Sequence, residues 1–285
     1  MAAKDGVLDV KTTRLLFLDD RNVSRSDNAV IKLGDIKKHS SNPLMREDKA
    51  WEKRFDNFYG NIIFDKQNDI YKCWYSPFIV AHSAGALSLD ERLQRGYEGH
   101  PEQEMGVCYA TSTDGIIWNK PDLGLVNYED NSANNIISRG LHGTGIFKDR
   151  LETDPKRLYK SISQGMKASF SADGLNWSAP TPISGVESAG DTHNNAFWAP
   201  TIEKYVGFTR TWSKTNRKIV GPETKTNHAW AREIARIESR DFENWSRAEV
   251  IINCDSWDQQ PYAMPVFFYA GIYFGLILAE IPRNT

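Results

Sequence analysis

Titratable residues recur at one kind of place in this chain, just ahead of a short apolar run. Asp56 precedes NFYGNIIFD, His142 precedes GTGIFKD, Asp191 and His193 precede NAFW, and Asp258 precedes QQPYAMPVFF. Grouped carboxylates and imidazoles suit proton transfer. In glycoside cleavage one carboxylic acid protonates the leaving oxygen while a second carboxylate attacks or activates water. A local reading of the same residues stands beside it: Asp191 and Asp258 can cap turns through side chain to backbone hydrogen bonds, and a lone His is more often structural. No HxH or HxxxH spacing occurs, so neither a metal nor a cofactor is expected.

Those entrances need strands behind them, and the chain supplies strands by repetition. Residues 109–121 (YATSTDGIIWNKP), 169–180 (SFSADGLNWSAP) and 236–250 (RIESRDFENWSRAEV) each read as strand, tight turn, Trp and strand. Asp114-Gly115 and Asp173-Gly174 supply the turn conformations, while Trp118, Trp177 and Trp245 anchor the returning strand. A second unit occupies 61–75, 144–163 and 195–210, with a further copy, PVFFYAGIYFGLIL, late in the chain. In each, an apolar run meets a polar turn and leaves through a Tyr-centred strand, the pattern of an antiparallel hairpin.

Two hairpins per period make a four-stranded sheet, and radial repetition of such sheets is a β-propeller. The expected fold class is therefore all-β, a β-propeller of four-stranded antiparallel blades in a single domain of 1–285. Its blades fall at about 58–120, 142–181 and 193–251, with a partial fourth at 262–285. A ring needs about four blades or more, so either the chain is incomplete or closure comes from its N-terminal segment or from a second subunit. Segment 14–38 has strand-like residues suited to an outer edge, 87–104 reads as a helix-compatible insertion, and 215–234 as a polar loop at a funnel wall.

Composition narrows the classes of partner. Lys and Arg nearly balance Asp and Glu, for a formal net charge of −2, and no basic run appears, which argues against nucleic acid. Nine Trp, eleven Tyr and thirteen Phe suit strands and flat platforms for stacking on sugar rings. Cys73, Cys108 and Cys254 lie far apart among apolar or aromatic neighbours and read as small buried strand residues. MAAKDGVLDV lacks the roughly 7–15-residue apolar run of a secretory leader, and no stretch is long enough to span a bilayer. The chain as written reads as unexported, although a mature secreted form would carry the same sequence.

LLFLDDRNV, the pair FDKQNDIYKCWY and YATSTDGIIWNKP, and the run GDTHNNAFW together resemble the five-bladed β-propeller superfamily of invertases, levansucrases and arabinanases. The likeness is strongest to its bacterial glycosyl-hydrolase-like branch and covers nearly the whole chain. The resemblance implies five blades, so the chain is expected to stop within the fourth. It also implies an active site in an axial funnel, entered where the innermost strand of each blade begins, with three carboxylates as nucleophile or base, transition-state stabiliser and general acid. The Asn-Asp-Pro and Arg-Asp-Pro runs of invertases do not occur, which argues against fructosidase activity.

On this reading Asp191, Asp258 and Asp56 are the catalytic candidates, and His142, His193, Asn194, Trp198, Arg210 and Tyr262 the substrate-binding ones. Asp149 stands where a middle carboxylate would be sought, but it follows a strand and leads into a turn. Glu104 is placed to reach the funnel from the insertion. Arg210 pairs either with a carboxylated sugar or with a blade carboxylate, and Trp198, Trp212, Trp230 and Trp257 either stack on sugar or pack in the core. The expected activity is hydrolysis of an oligo- or polysaccharide. Two alternatives stay open: glycan binding without cleavage, and β-elimination from a uronic acid by a His or Tyr base.

Overall fold

Three turns of one design set the spacing of the strands. In the computed structural model, which describes residues 16–20, 23–55, 58–80, 103–188, 190–212, 232–253 and 260–280, Ser112, Ser171 and Ser239 each accept the backbone N–H three residues on, at 2.8–2.9 Å. Asp114, Asp173 and Asp241 each accept two more N–H groups at 2.7–2.9 Å. The left-handed position falls on Gly115 and Gly174, and in the third copy on Phe242, where a side chain carries backbone strain. The Phe242 ring is fully buried among Phe147, Phe170, Tyr205 and Trp245, and that packing offsets the strain.

These turns close successive antiparallel sheets. The first contains β1 (Asn61–Asp65), β2 (Ile70–Tyr75), β3 (Phe78–Val80), β4 (Glu104–Ser112) and β5 (Ile136–Arg139). β3 continues the ladder of β2 on β4 past a break at Ser76 and Pro77, because proline has no N–H to donate. The second sheet runs β6 (Gly145–Lys148), β7 (Tyr159–Ser163), β8 (Lys167–Ser171) and β9 (Thr181–Pro182). The third runs β10 (Asn195–Ala199), β11 (Lys204–Trp212), β12 (Arg232–Ser239) and β13 (Glu249–Ile252). A last hairpin pairs β14 (Gln260–Ala263) with β17 (Leu278–Glu280) and β15 (Val266–Tyr269) with β16 (Ile272–Gly275).

The first strands β1, β6, β10 and β15 lie side by side along one axis, so the sheets are blades of a β-propeller, as the repeats predict. Each pair of blades is joined at the first residue of its inner strand. Asn61 Oδ1 accepts from Ile146 N of β6, and Asn195 Oδ1 accepts from Val266 N of β15, both at 2.9 Å. Between the second and third blades the equivalent residue is Gly145. A Cβ there would stand 1.8 Å from Asn194 O, so glycine lets two backbones touch where the other joints use an amide.

Several expectations change at the edges. The outer strand of the first blade is β5, beyond the expected limit at 120, because Ile136 and Ile137 are buried against β4. Residues 23–38 form no strand, and Leu33 and Ile36 are 98% and 96% exposed. The segment that does pack on the first blade is 45–55: Glu52 accepts Tyr75 Oη at 2.6 Å and Lys120 Nζ at 2.7 Å, while Trp51 Nε1 donates to Asn135 Oδ1 at 2.8 Å. Residues 232–234, read as the end of a loop, begin β12. Cys73 and Cys108 are fully buried free thiols, and burial pushes Cys73 up to about 12. Cys254 and residues 87–102 lie outside the described residues. Among the described residues no helix is long and apolar enough to cross a membrane.

Gly145→Ala is expected to lower unfolding free energy by about 3 kcal/mol, the upper part of the range for overpacking a rigid contact. Urea denaturation measures it; a variant as stable as the parent would mean that β6 and β10 do not approach this closely.

Candidate functional site

The N-terminal ends of the inner strands leave backbone groups that no ladder satisfies, and buried polar side chains take them up. Asn61 Nδ2 donates to Tyr59 O at 2.9 Å and Thr144 O at 3.0 Å. Those two carbonyls fix the orientation of its amide, so Oδ1 faces His193 Nε2 at 2.9 Å. An amide oxygen only accepts, hence His193 is the Nε2–H tautomer and donates to it. Burial holds His193 down to about 4, consistent with a neutral ring. Asn194, 1% exposed, spends its amide on Gly143 O, Gly190 O and Thr192 O at 2.8–3.0 Å and accepts Thr209 Oγ1 at 2.6 Å.

Around this buried frame stands a second set of groups. Tyr59 is 4% exposed, with its ring 5.7 Å from that of His142 and 5.6 Å from that of His193. Its hydroxyl lies 3.2 Å from His142 Nε2. Phe58 and Tyr59 both have positive φ, 50° and 44°, two consecutive aromatic residues in a region that costs roughly 1–3 kcal/mol each. Burial, with Tyr262 and Asp191 nearby, pushes the Tyr59 phenol far above its usual range, so it is a proton donor at neutral pH. Burial also lowers the half-buried His142; Arg210 adds to that effect and Asp191 opposes it.

Arg210, 2% exposed, pins the last hairpin to this mouth. Its Nη2 donates to Tyr262 O at 2.6 Å, where Thr192 Oγ1 also donates at 2.9 Å. Its guanidinium lies 4.3 Å from the Tyr262 ring and 5.6 Å from Trp212. Asp191, its side chain 27% exposed, approaches Arg210 Nη1 at 3.4 Å. That is an ion contact without hydrogen-bond geometry, since Asp191 Oδ1 has no hydrogen-bond partner. Below the mouth an axial cavity of about 660 Å³ runs between the inner strands, walled mainly by apolar residues.

The structure thus brings Asp191, His142, Arg210 and Tyr262 together with Tyr59. Other candidates are placed differently. Asn194 faces the frame, because a buried side chain whose hydrogen bonds close within the protein has little left for a ligand, while His193 bonds Asn61 and also lines the axial cavity. Trp198 is the fourth residue of β10, lines the axial cavity and packs edge-on against Tyr205 at 5.0 Å. Glu104 begins β4 and is ion-paired with Arg139 at 2.6 Å. Asp149 directly follows β6, accepts Leu151 N at 3.0 Å in a turn, and binds Lys160 Nζ at 2.7 Å and Tyr205 Oη at 2.6 Å. Asp56, Asp258, Trp230 and Trp257 lie outside the described residues. Among the described residues no cluster of three or more His, Cys, Asp or Glu is arranged for a metal.

No protein-family model matches the chain, and no curated protein matches it. Solved structures do. An N-acetylgalactosamine deacetylase from F. plautii, in complex with blood group B trisaccharide, is 12% identical with a TM-score of 0.45, over 73% of this chain and 57% of its own. A fructofuranosidase from Schwanniomyces occidentalis is 13% identical with a TM-score of 0.42, over 73% of this chain and 36% of its own. An exo-β-1,3-galactanase from Phanerochaete chrysosporium is 14% identical with a TM-score of 0.37, over 78% and 48%. The chain thus spans less than two thirds of the length of each.

Tyr59 and Asn61 were not among the sequence candidates. A signal existed in NFYGN, where two aromatics and a glycine stand directly before an inner strand, but an acid-base search settles on Asp56 instead.

The frame predicts a pH dependence. Folded His193 holds its proton only below about 4, whereas an unfolded His titrates near 6.5. The unfolded chain therefore takes up the proton first as pH falls. Stability from this group is full above about pH 6.5 and drains by up to about 3 kcal/mol on the way down to about 4. His142 is shifted in the same direction. Urea midpoints at pH 7.5 and 4.5 should show His193→Gln less stable at the higher pH and less sensitive to acid; an unchanged acid sensitivity would refute the buried neutral ring.

Proposed function

We propose that this chain is a carbohydrate-active protein which binds an oligo- or polysaccharide at the axial mouth and hydrolyses its glycosidic bonds. The observation that supports it is the convergence of Asp191, His142, Tyr59 and Tyr262, one from the entrance of each successive inner strand. A partly exposed carboxylate, a neutral imidazole and a phenol beside aromatic faces match the donors, acceptors and apolar faces of a sugar ring.

Hydrolysis needs a second carboxylate. The sequence candidates for it, Asp56 and Asp258, lie outside the described residues. In the proposed division of labour, Asp191 and one of these two carboxylates flank the scissile bond. His142 accepts hydrogen bonds from sugar hydroxyls, and Tyr59 donates to developing negative charge. Tyr262 supplies a stacking face, its position fixed by Arg210.

A second reading, glycan binding without cleavage, is favoured by the Asp191 contact with Arg210, which directs the carboxylate toward a protein cation. Asp191→Asn separates the two. Reducing-end release from a panel of polysaccharides is expected to fall by about 10²–10⁴-fold, the usual size of an acid-base contribution, with the melting curve unchanged. Turnover equal to the parent would remove Asp191 from the mechanism, and an oligosaccharide that binds yet stays whole with the parent would select the binding reading.

A further inference from the structure

The outer edge of the last hairpin is built differently from those of the other blades. β5 carries Arg139, which is paired with Glu104, β9 ends at Pro182, and β13 begins at Glu249. Charge and proline are the usual means of keeping an outer strand from joining another. The outer side of the last hairpin, residues 272–279, reads IYFGLILA and has neither. It pairs on one side with β15 and β14, and among the described residues no strand lies on the other. The second and third blades are four strands wide, whereas this one is two. Leu276, Ile277 and Leu278 are 61%, 51% and 53% exposed. The edge is nonetheless held in place from behind, where Tyr273 Oη meets Thr201 Oγ1 at 2.6 Å and the Tyr273 ring stacks on Phe197 at 5.9 Å.

The same chain carries a strand-like segment without a sheet. Residues 29–36 read AVIKLGDI and equal the open edge in length. Ala29, Ile31 and Leu33 alternate with Val30, Lys32 and Gly34, the period of a strand with one apolar face. The segment nevertheless forms no ladder, and Val30 is 77% exposed, beside the nearly bare Leu33 and Ile36. Within one copy, arm and edge are both left open to solvent. A second copy can bring them together.

We propose that two copies of this chain associate by exchanging arms, residues 29–36 of each adding a third strand to the edge 272–279 of the other. Main-chain hydrogen bonds make the pairing, and the apolar side chains of both segments leave water. A two-fold axis makes the two exchanges identical, so the assembly closes at a pair. The added strand carries Lys32 and runs on to Lys37 and Lys38, which gives the new outer edge the charge that the old one lacks. The association does not depend on the reaction assigned to the mouth.

Sedimentation equilibrium of the chain across a wide concentration range tests the exchange, with far-UV circular dichroism to verify folding. The mass of a pair is expected. Ile31→Pro removes an N–H from the arm and Leu276→Lys charges the edge; each should weaken association by at least about tenfold. Both side chains are exposed, so the fold of the single copy should be kept. Amides of 29–36 should be protected from hydrogen exchange in the pair and lose that protection in Leu276→Lys, a substitution far away in sequence. A chain that stays single at every concentration would overturn the proposal, as would an open-ended polymer. A pair that survives Ile31→Pro would overturn it too, and dissociation of that pair by Leu276→Lys would assign the contact to edge against edge.

Discussion

One amide holds the centre of this molecule together. Asn61 donates to Tyr59 O and Thr144 O, and it accepts from Ile146 N and His193 Nε2. It therefore engages its own blade and the next two at once. Inner strands of a propeller do not hydrogen-bond to one another as neighbours in a sheet do, so their mutual position must come from side chains or from close backbone approach. Asn61 and Asn195 use the first means and Gly145 the second. Each polar atom so buried would be costly if left alone, so the network fixes geometry as well as contributing stability.

That frame explains how Phe58 and Tyr59 can sit in left-handed conformations. The strain is local and unfavourable, yet the surroundings over-determine it. Ser76 N donates to Phe58 O at 2.7 Å, the Phe58 ring stacks on Tyr75 at 5.3 Å, and Asn61 holds Tyr59 O. Gly60 completes the bend, since a Cβ there would meet the Phe58 ring at 2.7 Å. The result is to aim one phenol between two imidazoles at the place where four strands begin. Strain kept in position by this many contacts is the pattern seen where a side chain must be presented rather than packed.

The blades were legible in the sequence because their determinants are local. Ser-x-Asp-Gly and its Phe242 variant bond within a few residues, and the Tyr-centred hairpins alternate with period two. The same local reading located the strand entrances, and with them Asp191 and His142. It did not show which polar residues turn outward. Asn194 and Asp191 are three residues apart and alike in type, yet one is consumed by three carbonyls, two from its own loop and one from the loop before β6, and the other is partly open. That difference depends on Gly143, brought in from 51 residues away, and no spacing rule encodes it. Tyr59 was missed for a related reason: its importance comes from a backbone conformation, and a Tyr before a Gly carries no acid-base signature.

The polar crowding at these strand entrances therefore has two causes that the sequence superimposes. Converging strands leave backbone donors and acceptors unpaired at their ends, and the side chains of Asn61, Asn194 and Thr192 satisfy them, with His193 bonded to the Asn61 amide oxygen. Once they do, the mouth is rigid and its remaining polar groups need not collapse onto the backbone. Asp191, His142 and Tyr262 can then keep part of their surface toward solvent without losing position. A loop-built site would have to order such groups on binding, at a cost of about 0.5–1.5 kcal/mol for each mobile side chain. Here much of that ordering is already complete in the fold, because the contacts that join successive blades are the ones that hold the mouth.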